Sequence, residues 1–136
     1  MTDAEFLSAL EDTSLPESSF QHRDHLRAGY LYLRRDGFFS GMGAMASALR
    51  RYAAARGRPD RYHETLTVAY LTLINERLQL EGDAGGFDAF IARNPDLAAP
   101  GILHRFYRRE TLSTKRARQV FVLEEPYITK AGAPGY

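Results

Sequence analysis

The chain has no cysteine. Disulfides, thiolate metal sites and cysteine nucleophiles are therefore excluded. It has no apolar run approaching the roughly 20 residues that a membrane-spanning helix needs. Its first residues, MTDAEFLSALED, lack the basic start and apolar core of a secretory leader. These absences lead to the expectation of a cytoplasmic protein with no membrane partner. An excess of one charge is also missing: 18 Lys and Arg face 17 Asp and Glu, a formal net charge of +1. So small a net charge argues against binding of nucleic acid by the domain as a whole. Lysine is scarce, being found only at Lys115 and Lys130. Arg in place of Lys, with abundant Ala and Gly, is associated with GC-rich bacterial genomes. No phosphate loop or dinucleotide fingerprint is present, and Gly41-Met-Gly43 is too short to be one, so no nucleotide cofactor is expected.

What is present describes one globular domain. The 136 residues are 44% hydrophobic and 26% charged, an ordinary globular balance. A chain of this length hides roughly two-thirds of its unfolded surface. There is no internal repeat and no long linker. Apolar residues recur every three or four positions, the helical period, and no strand pattern of useful length is found. The sequence therefore predicts an all-α, single-domain bundle of five to seven helices over residues 1–123, with an irregular tail over 124–136.

Local signals place the helices. Thr2 and Glu5 form a capping box ahead of Phe6, Leu7 and Leu10. A second helix is expected from about His22 to Asp36, stopped by Gly37. A third should open at Ser40 or Gly41 and end near Arg56, with Met42, Met45, Leu49 and Tyr52 in the core. Asp60 is the expected N-cap of a fourth, over about 61–81, with Leu66, Ala69, Tyr70, Leu73, Ile74 and Leu78 as its buried stripe. Residues 82–86 read as a flexible connection. Short helices should follow around Phe87–Ile91, over 101–107, and over 114–119 with Ser113 as cap. Arg93-Asn94-Pro95-Asp96 reads as turn chemistry.

Polar residues concentrate in two motifs, Phe20-Gln-His22-Arg-Asp24-His25-Leu26 and Tyr62-His63-Glu64-Thr65-Leu66-Thr67, which hold three of the four histidines. His22 and His25 are three apart and share a helix side. That side continues through Leu26, Gly29 and Leu33, so both rings are expected to point inward, and His63 likewise. Each motif opens a helix, whose dipole disfavours imidazolium, so neutral rings are expected. A neutral imidazole accepts a hydrogen bond, takes a proton or binds a metal.

The functional expectation is a His/Tyr-lined polar pocket between helices two and four that binds a small ligand. His25, His63 and Glu64 are the candidates for acid/base chemistry. His22, Asp24, Tyr30, Tyr62 and Tyr70 are the candidate ligand contacts, with Asp24 and Glu64 also able to orient the rings. His22, His25 and His63 are candidate ligands for a divalent metal, although the spacing does not match the helical His-Glu-x-x-His pattern. The competing reading is structural: inward histidines at helix starts tie loops down by bonding to carbonyls. The sequence does not decide between binding and catalysis, and it leaves a homo-oligomer open.

A second functional class rests on the C-terminal third. Arg105, Arg108, Arg109, Lys115, Arg116 and Arg118 crowd together, opposed only by Glu110 and interleaved with Phe106 and Tyr107. Such a segment could make the chain a non-catalytic interaction module for an acidic partner or nucleic acid. Its bland counterpart is a solvated helix face with the aromatics in the core.

At the histidine motifs the chain resembles a group of small bacterial proteins of unknown function. The residues that carry the resemblance are Phe20-x-His22-x-Asp24-His25-Leu26, Tyr62 to Thr67, Phe87-Asp-x-Phe90 with Asn94-Pro95, and Ala117-Arg118 leading into Phe121-Val122. The similarity spans roughly residues 20 to 122. It implies a stand-alone small domain and brings no activity or catalytic residues with it.

Overall fold

The computed structural model describes residues 1–82 and 85–125. Its described residues form eight α-helices and no strand. Helix α1 spans Asp3–Glu11, α2 His22–Asp36, α3 Phe38–Ala55, α4 Glu64–Glu81, α5 Gly86–Arg93, α6 Pro95–Ala98, α7 Arg109–Leu112 and α8 Lys115–Gln119. Single 3-10 turns lie at Glu17–Ser19, Pro59–Arg61 and Ile102–Arg105. The all-α, single-domain bundle is as expected; the count exceeds the expected five to seven by one, and α6, α7 and α8 are pieces of about one turn. Among the described residues no helix is long and apolar enough to cross a membrane.

Capping starts the first two helices. In α1 the Glu5 N–H donates to Thr2 Oγ1 at 3.1 Å and the Thr2 N–H donates to Glu5 Oε1 at 3.3 Å. In α2 the Gln21 N–H donates to Asp24 Oδ2 at 2.9 Å. Asp24 is thereby occupied in holding the first turn of its own helix.

A single residue, Gly37, separates α2 from α3. Its φ of 80° lies in the left-handed region that side chains disfavour. The helix after it begins at Phe38, earlier than Ser40 or Gly41, because Gly37 itself makes the turn and its carbonyl accepts the Gly41 N–H at 2.9 Å. The two helices then run antiparallel in close contact. A Cβ at Gly41 would stand 2.7 Å from the Tyr32 carbonyl oxygen. At the far end, Phe20 beside the start of α2 meets Tyr52 near the end of α3, their ring centroids 5.2 Å apart.

Helix α4 packs on α2 through Gly29, where a Cβ would sit 3.1 Å from both Ile74 Cδ1 and Leu71 Cδ2. It begins at Glu64. Asp60 instead lies in the 3-10 turn, and His63 is the cap, its Nδ1 accepting the Leu66 N–H at 3.1 Å. The buried stripe of α4 is Thr65, Leu71, Ile74 and Leu78. Leu66, Ala69, Tyr70 and Leu73, also expected in that stripe, are half-buried, Leu66 and Tyr70 because they border cavities. Thus the starts of α2 and α4 and the end of α3 meet at one end of the bundle.

The remaining elements brace this core. The aromatic rings of Phe87 and Phe90 in α5 pack on Tyr30. The Arg93–Asp96 stretch is more than a turn. Asn94 is buried and donates to Glu81 Oε2 and the Phe90 carbonyl, and Arg77 binds Asp96 through both terminal nitrogens. Segment 101–107 is reduced to a 3-10 turn and one more turn of chain. Thr114, not Ser113, caps α8, its Oγ1 accepting the Ala117 N–H at 3.0 Å, while Ser113 donates to the Arg109 carbonyl. Thr65 holds the extended chain after α8: its hydroxyl donates to the Val120 carbonyl and accepts the Val122 N–H. Glu124 folds back to accept the Arg108 N–H and the Thr111 hydroxyl. Residues 126–136, and 83–84 within the expected flexible connection, lie outside the described residues.

Candidate functional site

Two adjoining cavities open where α2, α3 and α4 converge. The outer cleft holds about 570 Å³ and is walled by Phe20, His25, Tyr52, Arg56, Tyr62 and His63 among others. The inner cavity holds about 240 Å³ and is mainly apolar, with Leu26, Gly29, Met45, Leu71 and Ile74 in its lining. His25, Leu49, Leu66 and Thr67 border both. The boundary between the cavities is therefore built from three helices.

His25 stands at that boundary. Its ring stacks on Phe20, centroids 3.8 Å apart and planes 18° from parallel. Among the described residues neither ring nitrogen has a hydrogen-bond partner. The ring was expected to point inward, yet it remains exposed, because Phe20 and Leu26 occupy the core positions on either side of it. Protein atoms crowd it from the cleft walls while one edge meets water. That crowding lowers its pKa from 6.5 to about 4; the charge of His22 adds to the effect and Asp24 partly opposes it. His25 is neutral near pH 7 and free to accept a hydrogen bond or a proton.

The other two histidines are committed. His63 is buried and satisfied at both nitrogens: Nδ1 receives the Leu66 N–H, and Nε2 donates to the Leu112 carbonyl at 2.8 Å. These bonds fix its tautomer. Desolvation lowers its pKa, and the bond to the Leu112 carbonyl partly opposes that. His22 is exposed and borders the inner cavity, with Nε2 3.2 Å from the Leu97 carbonyl and its ring edge-on to Tyr70. His22, His25 and His63, the candidate metal ligands, are not brought together. Among the described residues no three His, Asp or Glu side chains are grouped to hold an ion. The reason is local: the ring nitrogens of His63 face backbone partners on opposite sides, and a protonated Nε2 does not ligate.

The remaining candidates are dispersed. Tyr62 lines the outer cleft and donates its hydroxyl to Glu64; burial and that bond push its pKa up to about 12. Glu64 lies behind Tyr62 and also accepts from Arg50 at 3.1 Å. Tyr70 lines the inner cavity. Tyr30 is elsewhere, buried against α5, and Asp24 is the capping carboxylate of α2. The basic C-terminal segment is half engaged: Arg105 pairs with Asp96, Arg108 with Glu124, and Arg118 donates to the Asp60 carbonyl. Its Tyr107 is buried, as a core aromatic should be, whereas Phe106 is exposed.

The wall residues that sequence reasoning passed over are Phe20, Tyr52, Arg56, Arg58 and Arg61. Arg56 donates to the carbonyls of Thr13 and Leu15, and its guanidinium covers the Tyr52 ring at 4.3 Å. Tyr52 in turn donates to the Leu15 carbonyl at 2.7 Å. These bonds pin the loop before α2 to the end of α3 and so shape the cleft. The available signal was the pair of arginines in Gly57-Arg58-Pro59-Asp60-Arg61, immediately before Tyr62 and His63. No protein-family model matches the chain, and neither the curated proteins nor the solved structures contain a significant match.

Proposed function

We propose that the chain binds a small organic ligand in the cleft where the starts of α2 and α4 meet the end of α3. One observation carries this reading: a neutral, unpartnered imidazole, His25, stands at the boundary of two adjoining cavities. A buried imidazole is normally satisfied by protein groups, as His63 is, whereas among the described residues the exposed His25 ring ties no part of the fold together by a hydrogen bond. His25 instead offers its ring nitrogens to the cleft. Concave sites with an apolar lining and a few convergent polar groups are where small molecules bind.

The chemistry available is hydrogen-bond acceptance or proton transfer at His25, with the Tyr62 hydroxyl and Thr67 as neighbouring polar groups. His63 and Glu64 act as supports, since His63 fixes the first turn of α4 and Glu64 orients Tyr62. No metal is needed for this reading.

The test is a fragment screen by ¹H–¹⁵N and imidazole ¹H–¹³C correlation spectra, using acids, amines, alcohols and neutral heteroaromatics at millimolar concentration. Hits that shift His25 and Thr67 together, and are lost in His25→Ala, are the expected result. A panel in which no fragment of any charge moves either residue overturns the proposal.

A further inference from the structure

The rim of the outer cleft carries an uneven charge. Arg56, Arg58 and Arg61 line it, and Glu17 is the only carboxylate among the lining residues. Glu17 lies 3.9 Å from Arg56, which is also held by two backbone carbonyls. Arg58 and Arg61 differ from Arg56. Both are exposed, and among the described residues neither guanidinium has a hydrogen bond or an ion pair. Most other arginines of the bundle do have such partners, including Arg23, Arg27, Arg35, Arg77 and Arg93. Two free guanidiniums at either end of one 3-10 turn, beside a concave surface, offer paired forks for an oxyanion. The His25 imidazole adds no positive charge at neutral pH.

The inner cavity has the opposite character. Apart from His22, His25, Thr67 and Tyr70, its lining is the aliphatic side chains, the Met45 thioether and the backbone of Gly29. This cavity is open on one side and holds about 240 Å³, against about 150 Å³ for an enclosed cavity that takes a benzene ring. Polar rim and apolar interior meet at His25, Leu49, Leu66 and Thr67.

We infer that the ligand is a small amphipathic organic anion, its carboxylate or similar oxyanion held by Arg58 and Arg61 and its apolar arm lodged past His25 in the inner cavity. This deepens the binding proposal above and rests on it. Charge selects at the rim, because each guanidinium gives charge-assisted hydrogen bonds that an alcohol receives weakly and an ammonium not at all. The apolar arm contributes by burial between α2 and α4. Small inorganic anions have no such arm and gain only the first contribution.

The probes are 3-phenylpropionate, 3-phenylpropylamine, 3-phenylpropan-1-ol, acetate and inorganic phosphate, titrated against the intact chain and followed by chemical shifts. The expected order places 3-phenylpropionate first, shifting both the His25 ring and the Gly29 amide. Acetate and phosphate should bind more weakly and leave Gly29 unmoved. The Arg58→Gln/Arg61→Gln variant, which removes no hydrogen bond or ion pair of the described residues, should weaken 3-phenylpropionate by about tenfold or more, the size of one lost charge-assisted hydrogen bond. Equal or tighter binding of the amine or the alcohol overturns the anion inference and leaves the cleft proposal standing. So does an unchanged affinity in the double variant. Absence of binding by all five probes, while fragments of the wider screen still reach His25, overturns the anion inference alone. Absence of any hit in either experiment overturns both.

Discussion

The imidazole of His25 lies on the phenyl ring of Phe20, 3.8 Å between centroids and 18° from parallel. Phe20 is itself buried and meets both Phe6 and Tyr52. A residue facing the cleft is thus aligned by a ring that belongs to the core. His22, three residues earlier, borders only the inner cavity and is taken up by Leu97 and Tyr70.

The first prediction is a pH dependence. The folded-state pKa of His25 lies near 4, below its unfolded value of 6.5, and that of His63 is lowered as well. Between these values the unfolded chain binds more protons than the folded one. Stability is therefore complete above about pH 6.5 and falls as the pH drops toward 4. Between about pH 6.5 and 5 the carboxylates remain largely ionised, so the slope there comes from histidine. Urea titrations at several pH values should show it, and His25→Asn should reduce it. An NMR titration placing the His25 midpoint at or above 6.5 would contradict the crowded environment described here.

A second prediction separates the histidines. His63→Ala removes the cap of α4 and strands the Leu112 carbonyl. The cap alone is worth about 0.5–2 kcal/mol, and a buried unsatisfied group costs about 1–3 kcal/mol. His25→Ala breaks no hydrogen bond and should cost about 1 kcal/mol or less, from lost packing on Phe20. Chemical denaturation ranks the variants; equal losses would mean that His25 is a structural residue.

Two glycines of α3 provide a matched pair. Gly41→Ala would force a Cβ against the Tyr32 carbonyl, a backbone atom that does not yield. A loss of about 1–3 kcal/mol is expected from overpacking. Gly43 meets open space on the same helix. Gly43→Ala should therefore stabilise by about 0.5–1 kcal/mol through helix propensity. Thermal melts of both variants check the close approach of α2 and α3.

Thr65 is fully buried and serves two backbone groups of the segment after α8. Thr65→Val keeps the shape and removes the hydroxyl. The expected cost is about 1–3 kcal/mol, with faster proteolysis within residues 120–125. Unchanged cleavage there would show that Tyr107 and Glu124, which also hold this stretch, suffice to anchor it.

Most of the bundle was legible in the chain itself. The Thr2–Glu5 box, the Gly37 stop and the apolar spacing of α2 and α3 act within a few residues, so the sequence exposes them directly. Boundaries failed where a distant partner took over a local role. Asp60 is a good cap by type, yet His63 caps α4 because its ring is held from the other side by Leu112, 49 residues further on. The Asn94-Pro95 stretch looked like a turn because its bonds to Glu81 and Arg77 come from another helix.

The site divides in the same way. Residue type and helical period are local properties, so the chain alone shows that three histidines and Tyr62 stand at the starts of two helices and make those starts polar. Only the tertiary structure decided which imidazole is free. A ring nitrogen is available or spent according to the carbonyl that meets it, and Leu97 and Leu112 lie far along the chain from His22 and His63. It also brought Arg58 and Arg61 to the cleft edge, since the turn between α3 and α4 acquires a facing wall only when the start of α2 packs against both helices.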